Sequence, residues 1–171
     1  MDADSDRVTR NRYLPGRVSP TMTRVCLIGD DDVELRYELV SRETAREALA
    51  TYDLREPYLN TVALETVSLG SAVALLNDLN WYLVRFASEA LVLEPSVSDE
   101  EWLSRALAET VRETRLDPGE TGRFLKVFGV ADGALLEPMF VTRTGPQLPE
   151  YDLHEVDDTV VVRVTESEFG A

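Results

Sequence analysis

Charge is spread so evenly along this chain that the longest run without Asp, Glu, Lys or Arg extends only from Thr66 to Asn77. A helix that crosses a bilayer needs about 20 consecutive apolar residues, so the sequence excludes a membrane-spanning helix. The core must instead be assembled from short elements, each with one apolar face or a brief apolar run. With 44% of its 171 residues hydrophobic, the chain can still build an ordinary globular core of single-domain size. Wholesale disorder is excluded on the same ground.

The 32 acidic and 17 basic side chains leave a formal charge of −15. Phosphate backbones and anionic lipid head groups are repelled by such a surface, so neither nucleic acid nor a membrane is expected as a partner. Cys26 and His154 are the only cysteine and histidine, which excludes an internal disulfide, a cysteine-built metal site and histidine pairs. Residues 1–21 lack the basic, apolar and small-residue order of an export signal, and a cytoplasmic protein is expected.

Lys126 is the sole lysine; the other sixteen basic residues are arginine. Carboxylates hold water and cations tightly, whereas a lysine stem adds exposed apolar surface, so excess Asp and Glu with almost no Lys reads as adaptation to a salt-rich cytoplasm. At about 1 M salt the Debye length is near 3 Å and the repulsion is screened, so high K⁺ is expected to favour solubility and folding. The first 21 residues depart from this bias with a net charge of +1, against −16 for the rest. They read as a disordered or mis-annotated leader, with Met22 as an alternative start and 22–171 as one domain.

Thr23–Gly29 has adjacent Val25, Cys26, Leu27 and Ile28, the look of a strand buried on both faces. Val33–Val40 is either a second strand or the beginning of a helix running to about Tyr52; the favoured reading is a strand, followed by a separate helix over Arg42–Thr51 capped by Ser41. Thr61–Leu69 is rich in β-branched residues and predicts a strand. From Ser71 a helical stripe of Ala72, Leu75, Leu76, Leu79, Leu83, Phe86 and Ala90 follows, although Tyr82, Val84 and Phe86 also alternate as a strand would; Leu91–Leu93 reads as a short strand. Ser98 and Glu101 have the spacing of a capping box, predicting a helix that buries Trp102, Leu103, Ala106, Leu107 and Val111. Phe124–Val130 and Leu135–Thr142 predict a hairpin closed by Asp132-Gly133, with Pro138 at an edge or bulge. Thr159–Thr165 is the last expected strand. The expected fold is a single α+β domain, a mixed sheet of six to seven short strands with three helices packed on it and an α/β-type opening.

Three groups of residues are candidates for function. Asp30, Asp31 and Asp32 end the first strand, where hard oxygens suit Mg²⁺, and with Arg36 or Arg42 they are the candidate ligand or metal site. No cofactor is otherwise expected. Arg36, Arg42, Arg46 and Arg55 are interleaved with Glu34, Glu38, Glu43 and Glu47, which predicts pairing along a helix surface. Trp81, Tyr82 and Trp102 are the candidate anchors for a protein partner. Cys26 with His154 would need an exposed thiolate to act as nucleophile and base, and Cys26 instead sits in an apolar strand. Phosphate loops, dinucleotide fingerprints, HExxH and GxSxG are absent from the sequence.

CLIGDDDVELR resembles the first strand and acidic pocket of response-regulator receiver domains, but no aspartate ends WYLVRFA or ALVLEP to accept a phosphoryl group, and Lys126 is not followed by proline. Trp81, Tyr82 and Leu83 resemble the signature of the WYL domain, without its arginine-rich continuation. Taken together, LIGDDDVELRYELVSRETAREALATYDLREPYLN, SLGSAVALLNDLNWYLVRFA and EPSVSDEEWLSRA resemble a family of uncharacterised haloarchaeal proteins from about Met22 to the C-terminus. That resemblance implies a salt-in cytoplasm and no particular activity. The expectation is therefore a non-enzymatic interaction or regulatory module, with a ligand- or metal-dependent enzyme or sensor as the alternative.

Overall fold

The apolar run at Thr23–Gly29 forms β1, whose side chains are buried on both faces of a sheet as expected. The structure is a computed structural model that describes residues 22–113, 116–145 and 156–169; residues 1–21 and His154 lie outside the described residues. After β1 come α1 (Leu35–Val40), α2 (Glu43–Leu49), β2 (Thr61–Thr66), α3 (Leu69–Asp78), α4 (Asn80–Phe86) and β3 (Ala87–Leu93). There follow β4 (Trp102–Ser104), α5 (Arg105–Arg112), a 3-10 turn at Pro118–Glu120, β5 (Phe124–Ala131), β6 (Ala134–Leu135), β7 (Met139–Thr142) and β8 (Asp158–Val164). The order across the sheet is β2-β1-β3-β4-β8-β5-β6, and β7 also pairs with β5. This is the expected mixed α+β class, with more and shorter elements than the six to seven strands and three helices read from the sequence.

Strand alternation sends β1 into two cores. Val25 and Leu27 join Val62, Leu64, Ala90 and Val92 beneath the helices, which contribute Leu35, Leu39, Leu49, Leu76 and Leu107. Cys26 and Ile28 face the other way and meet Leu91, Leu93, Trp102, Phe128, Val160 and Val162. That second core is filled by strand residues because the sheet curls over itself, carrying β5 and β8 across the face that the helices leave open. Both neighbours of β1 are antiparallel to it, and the parallel pair is β4 with β8. The α/β-type opening is thus corrected, and with it any receiver-like parallel sheet.

Local signals were overruled where a distant partner existed. Val33–Val40 is not a strand: Leu35 and Leu39, one helical turn apart, are both buried in α1, while Tyr37 is 60% exposed. Ser41 ends α1 rather than capping the next helix, whose N-cap residue is Arg42. The stripe from Ser71 divides at Leu79 into α3 and α4, and Ala90 belongs to β3. Residues 80–86 are helix, which settles the ambiguity at Tyr82–Phe86. Ser98 Oγ does accept the amides of Glu100 and Glu101, at 3.2 and 3.0 Å. No helix follows, because Trp102–Ser104 pairs with both β3 and β8. Ser104 performs the capping instead, its Oγ accepting from Leu107 N at 3.1 Å at the start of α5.

Candidate functional site

The acidic turn after β1 is held by one residue that the sequence reading passed over. Asn60 donates from Nδ2 to the carbonyls of Asp30 and Val33, and its Oδ1 accepts from Leu35 N at the start of α1, each at 2.9 Å. Its own φ is 58°, a left-handed conformation that asparagine tolerates better than most residues. Gly29 belongs to the same arrangement: a Cβ there would stand 2.6 Å from Asn60 Nδ2.

Asp31, Asp32 and Arg36 line an open cleft of about 730 Å³ beside this turn. Arg36 is paired with Glu56 at 3.2 Å. Arg42 is not brought to the cleft; it pairs with Glu38 at 2.7 Å and lies over the Phe86 ring. Arg46 donates to the Val40 carbonyl and Arg55 to Asp53 rather than to the interleaved glutamates; of the expected helix-surface pairs the structure shows Arg42–Glu38. Among the described residues no three His, Cys, Asp or Glu side chains converge as a metal site would require.

The aromatic candidates separate. Trp81 on α4 is 51% exposed, with the Arg85 guanidinium 3.7 Å above its ring centre and Tyr82 edge-on at 5.1 Å. Val84 on the same helix is also exposed. Trp102 is no surface anchor: it is buried in the second core on β4, because the strand that replaced the expected helix turns it inward. Cys26 is buried beside it, and burial pushes its thiol up to about 12. Almost no thiolate exists at neutral pH, which removes it as a nucleophile.

A second cleft, of about 910 Å³, is lined by Arg123, Arg143 and Arg163 together with Val97, Pro118 and Gly122. Arg143 leaves β7, Arg163 belongs to β8 and Arg123 precedes β5. Behind them sits Glu101, whose Oε2 accepts from Arg143 Nη2 at 2.6 Å and whose Oε1 accepts from Arg163 Nε at 2.7 Å. Burial on its own would raise the Glu101 carboxyl, but its hydrogen bonds to Arg143 and Arg163 and their charge outweigh burial and hold it below the usual carboxylate range. Arg163 also donates through Nη1 to Thr121 Oγ1 at 2.8 Å. Arg143 Nε is buried with no hydrogen-bond partner. Gly122 makes room for the two guanidinium groups, since a Cβ there would be 2.9 Å from Arg143 Nη1 and 3.6 Å from Arg163 Cζ.

These arginines escape a sequence reading because they come from separate segments and have no shared spacing. The one signal available in the sequence is Glu101, whose spacing from Ser98 points to a helix cap instead. The global charge of −15 also pointed away from anion recognition, yet a local concentration of guanidinium groups governs the field within a Debye length.

Residues 23–130, more than half of the chain, match a family of unknown function (DUF5804). That span includes Glu101, Arg123 and the acidic turn, and ends before Arg143 and Arg163. No curated protein and no solved structure matches the chain. Among the described residues no helix is long and apolar enough to cross a membrane.

Proposed function

The chain belongs to the DUF5804 family, and we propose that it acts as a non-catalytic recognition module that holds a small anionic ligand in the arginine cleft. The observation that carries this reading is the pinning of Arg143 and Arg163 on Glu101 beside an open cavity. A side chain held from behind presents its remaining donors without a further loss of rotamer freedom, which is what a recognition site requires. The inert thiol of Cys26 supports a binding role over nucleophilic chemistry. The acidic, lysine-poor composition supports a salt-rich cytoplasm as its setting.

Thermal denaturation in KCl, with ionic strength held constant across a panel of phosphates and carboxylates, tests the reading. At least one organic anion should raise the melting temperature, and Arg143→Gln should remove that rise. A panel without any shift would overturn it. Mg²⁺ supplies the control, because the aspartates of the acidic turn do not converge and no comparable rise is expected.

A second reading rests on α4, where Trp81, braced by Arg85, stands beside exposed Val84. Such a surface suits a protein partner held by apolar contact, which molar salt does not screen. Stoichiometric capture from a molar-KCl lysate, lost in Trp81→Ala at unchanged melting temperature, would support it; capture indifferent to Trp81→Ala would count against it.

A further inference from the structure

We infer that the ligand of the arginine cleft is an organic phosphate monoester, an inference that rests on the reading of this cleft as an anion site. The donors come from three neighbouring segments of one sheet: Arg123 from the turn before β5, and Arg143 from the end of β7 and Arg163 from β8, the strands on either side of β5. A planar carboxylate is satisfied by one guanidinium fork, whereas the three terminal oxygens of a phosphate can accept from several guanidinium groups at once.

The charges agree with this choice. Glu101 neutralises one of the three guanidinium groups, and a phosphate monoester carries about −1.5 to −2 at pH 7. Glu120 is the one carboxylate among the lining residues, and its Oε1 is engaged by Asp117 N at 3.2 Å. The planar carboxylate position is already occupied, because Glu101 itself sits between Arg143 and Arg163. Arg163 donates through Nε and Nη1 to Glu101 and Thr121, and among the described residues its Nη2 has no hydrogen-bond partner. Arg143 Nε is buried without a partner, so the donors that Arg143 can offer a ligand are those of its Nη atoms.

The size of the cleft argues for an ester over free phosphate. Its 910 Å³ far exceeds one phosphate group and falls within the range of about 300–1,000 Å³ typical of small-molecule sites. Val97 and Pro118 provide apolar wall for an organic group.

The test is calorimetric titration of the full chain in KCl at constant ionic strength with phenyl phosphate, inorganic phosphate, benzoate and succinate. Phenyl phosphate should bind most tightly, inorganic phosphate more weakly, and both carboxylates at least about tenfold more weakly than phenyl phosphate, a gap of roughly 1.4 kcal/mol. Arg143→Gln should weaken phenyl phosphate at least tenfold, but it also removes one of the two arginine partners of Glu101. Arg123→Gln is therefore the second variant: Arg123 is exposed, and the carbonyl by which it accepts Arg143 N is main chain and survives the change. It should weaken phenyl phosphate several-fold, while the melting temperature of the free protein falls by no more than the loss of the exposed contact between Arg123 and the Phe124 ring, 5.2 Å away, accounts for. Carboxylates binding as tightly as phenyl phosphate would overturn the phosphate assignment while leaving an anion site standing. Inorganic phosphate binding as tightly as phenyl phosphate would overturn the ester. Arg123→Gln without effect would overturn the three-arginine site, and no binding by any of the four anions would overturn the anion site itself.

Discussion

Glu101 shows how one side chain can be committed to two demands. The capping-box spacing with Ser98 offers its carboxylate a backbone amide, but two guanidinium groups offer charge-assisted hydrogen bonds of about twice the strength. The guanidinium groups win, and the carboxylate holds two of the arginines that line the cleft. Glu101→Gln keeps the shape and removes the charge. At 18% side-chain exposure the pair lies between a surface ion pair and a buried one, so the variant should lose about 2 kcal/mol at pH 7. That corresponds to a melting temperature lower by roughly 5 °C. The pH dependence has a definite sign. The folded protein holds the carboxyl below its ordinary value of 4.5, so the Glu101 contribution is complete above that value and fades as pH falls through the lower, folded-state one. The gap between wild type and Glu101→Gln, measured by thermal melts in KCl from pH 7 to pH 3, should therefore narrow on the acid side. A gap that stayed constant to pH 3 would mean that the carboxylate is not held by its arginines.

At the scale of elements, legibility depended on how far away the deciding partner lay. The β5–β6 hairpin was readable because its determinants are its own two turn residues: Asp132 and Gly133 both have positive φ, at 53° and 80°, as a type I′ turn requires. β1 was readable because burial on both faces leaves a continuous apolar run. α1 was not, since the residue that organises its first turn is Asn60, distant in sequence, and Val33, Leu35, Tyr37 and Leu39 alternate like a strand. β4 was misread as helix because its pairing partner β8 lies near the other end of the described chain. The arginine cleft was illegible for the same reason, while the acidic turn was seen and its organiser missed. Asn60→Ala tests that organiser. It removes three hydrogen bonds worth about 1 kcal/mol each and leaves a Cβ-bearing residue at positive φ, for an expected loss of about 3–4 kcal/mol by urea denaturation in KCl. Asn60→Gly loses the same bonds without the left-handed penalty and should be about 1 kcal/mol less damaging. Equal losses in the two variants would show that the backbone conformation at Asn60 contributes nothing.

Across the whole molecule, the one lysine is found where its disadvantages on a surface do not apply. Lys126 projects from β5 into the curl of the sheet, pairs with Glu89 of β3 at 2.5 Å and lies near the rings of Phe128 and Phe140. Its apolar stem is covered, with only 15% of the side chain exposed. Every other cation is an arginine, and many are spent on intramolecular pairs such as Arg36–Glu56, Arg42–Glu38 and Arg105–Glu109. What remains is a net charge of −15 distributed over a small body, whose self-repulsion favours the expanded chain when it is not screened. Molar KCl shortens the Debye length from about 10 Å at 0.1 M to about 3 Å at 1 M. It removes most of that repulsion while leaving the partly buried Lys126–Glu89 and Glu101–arginine pairs in place. The melting temperature should therefore rise by on the order of 10 °C between 0.1 M and 2 M KCl, from screening and from the salt's strengthening of apolar burial. Choline chloride at equal ionic strength separates general screening from a need for K⁺ itself: an equal rise in both salts assigns the effect to screening. A melting temperature independent of salt would mean that the carboxylates are spaced widely enough for water alone to screen them, and the salt-rich setting would lose its physical basis.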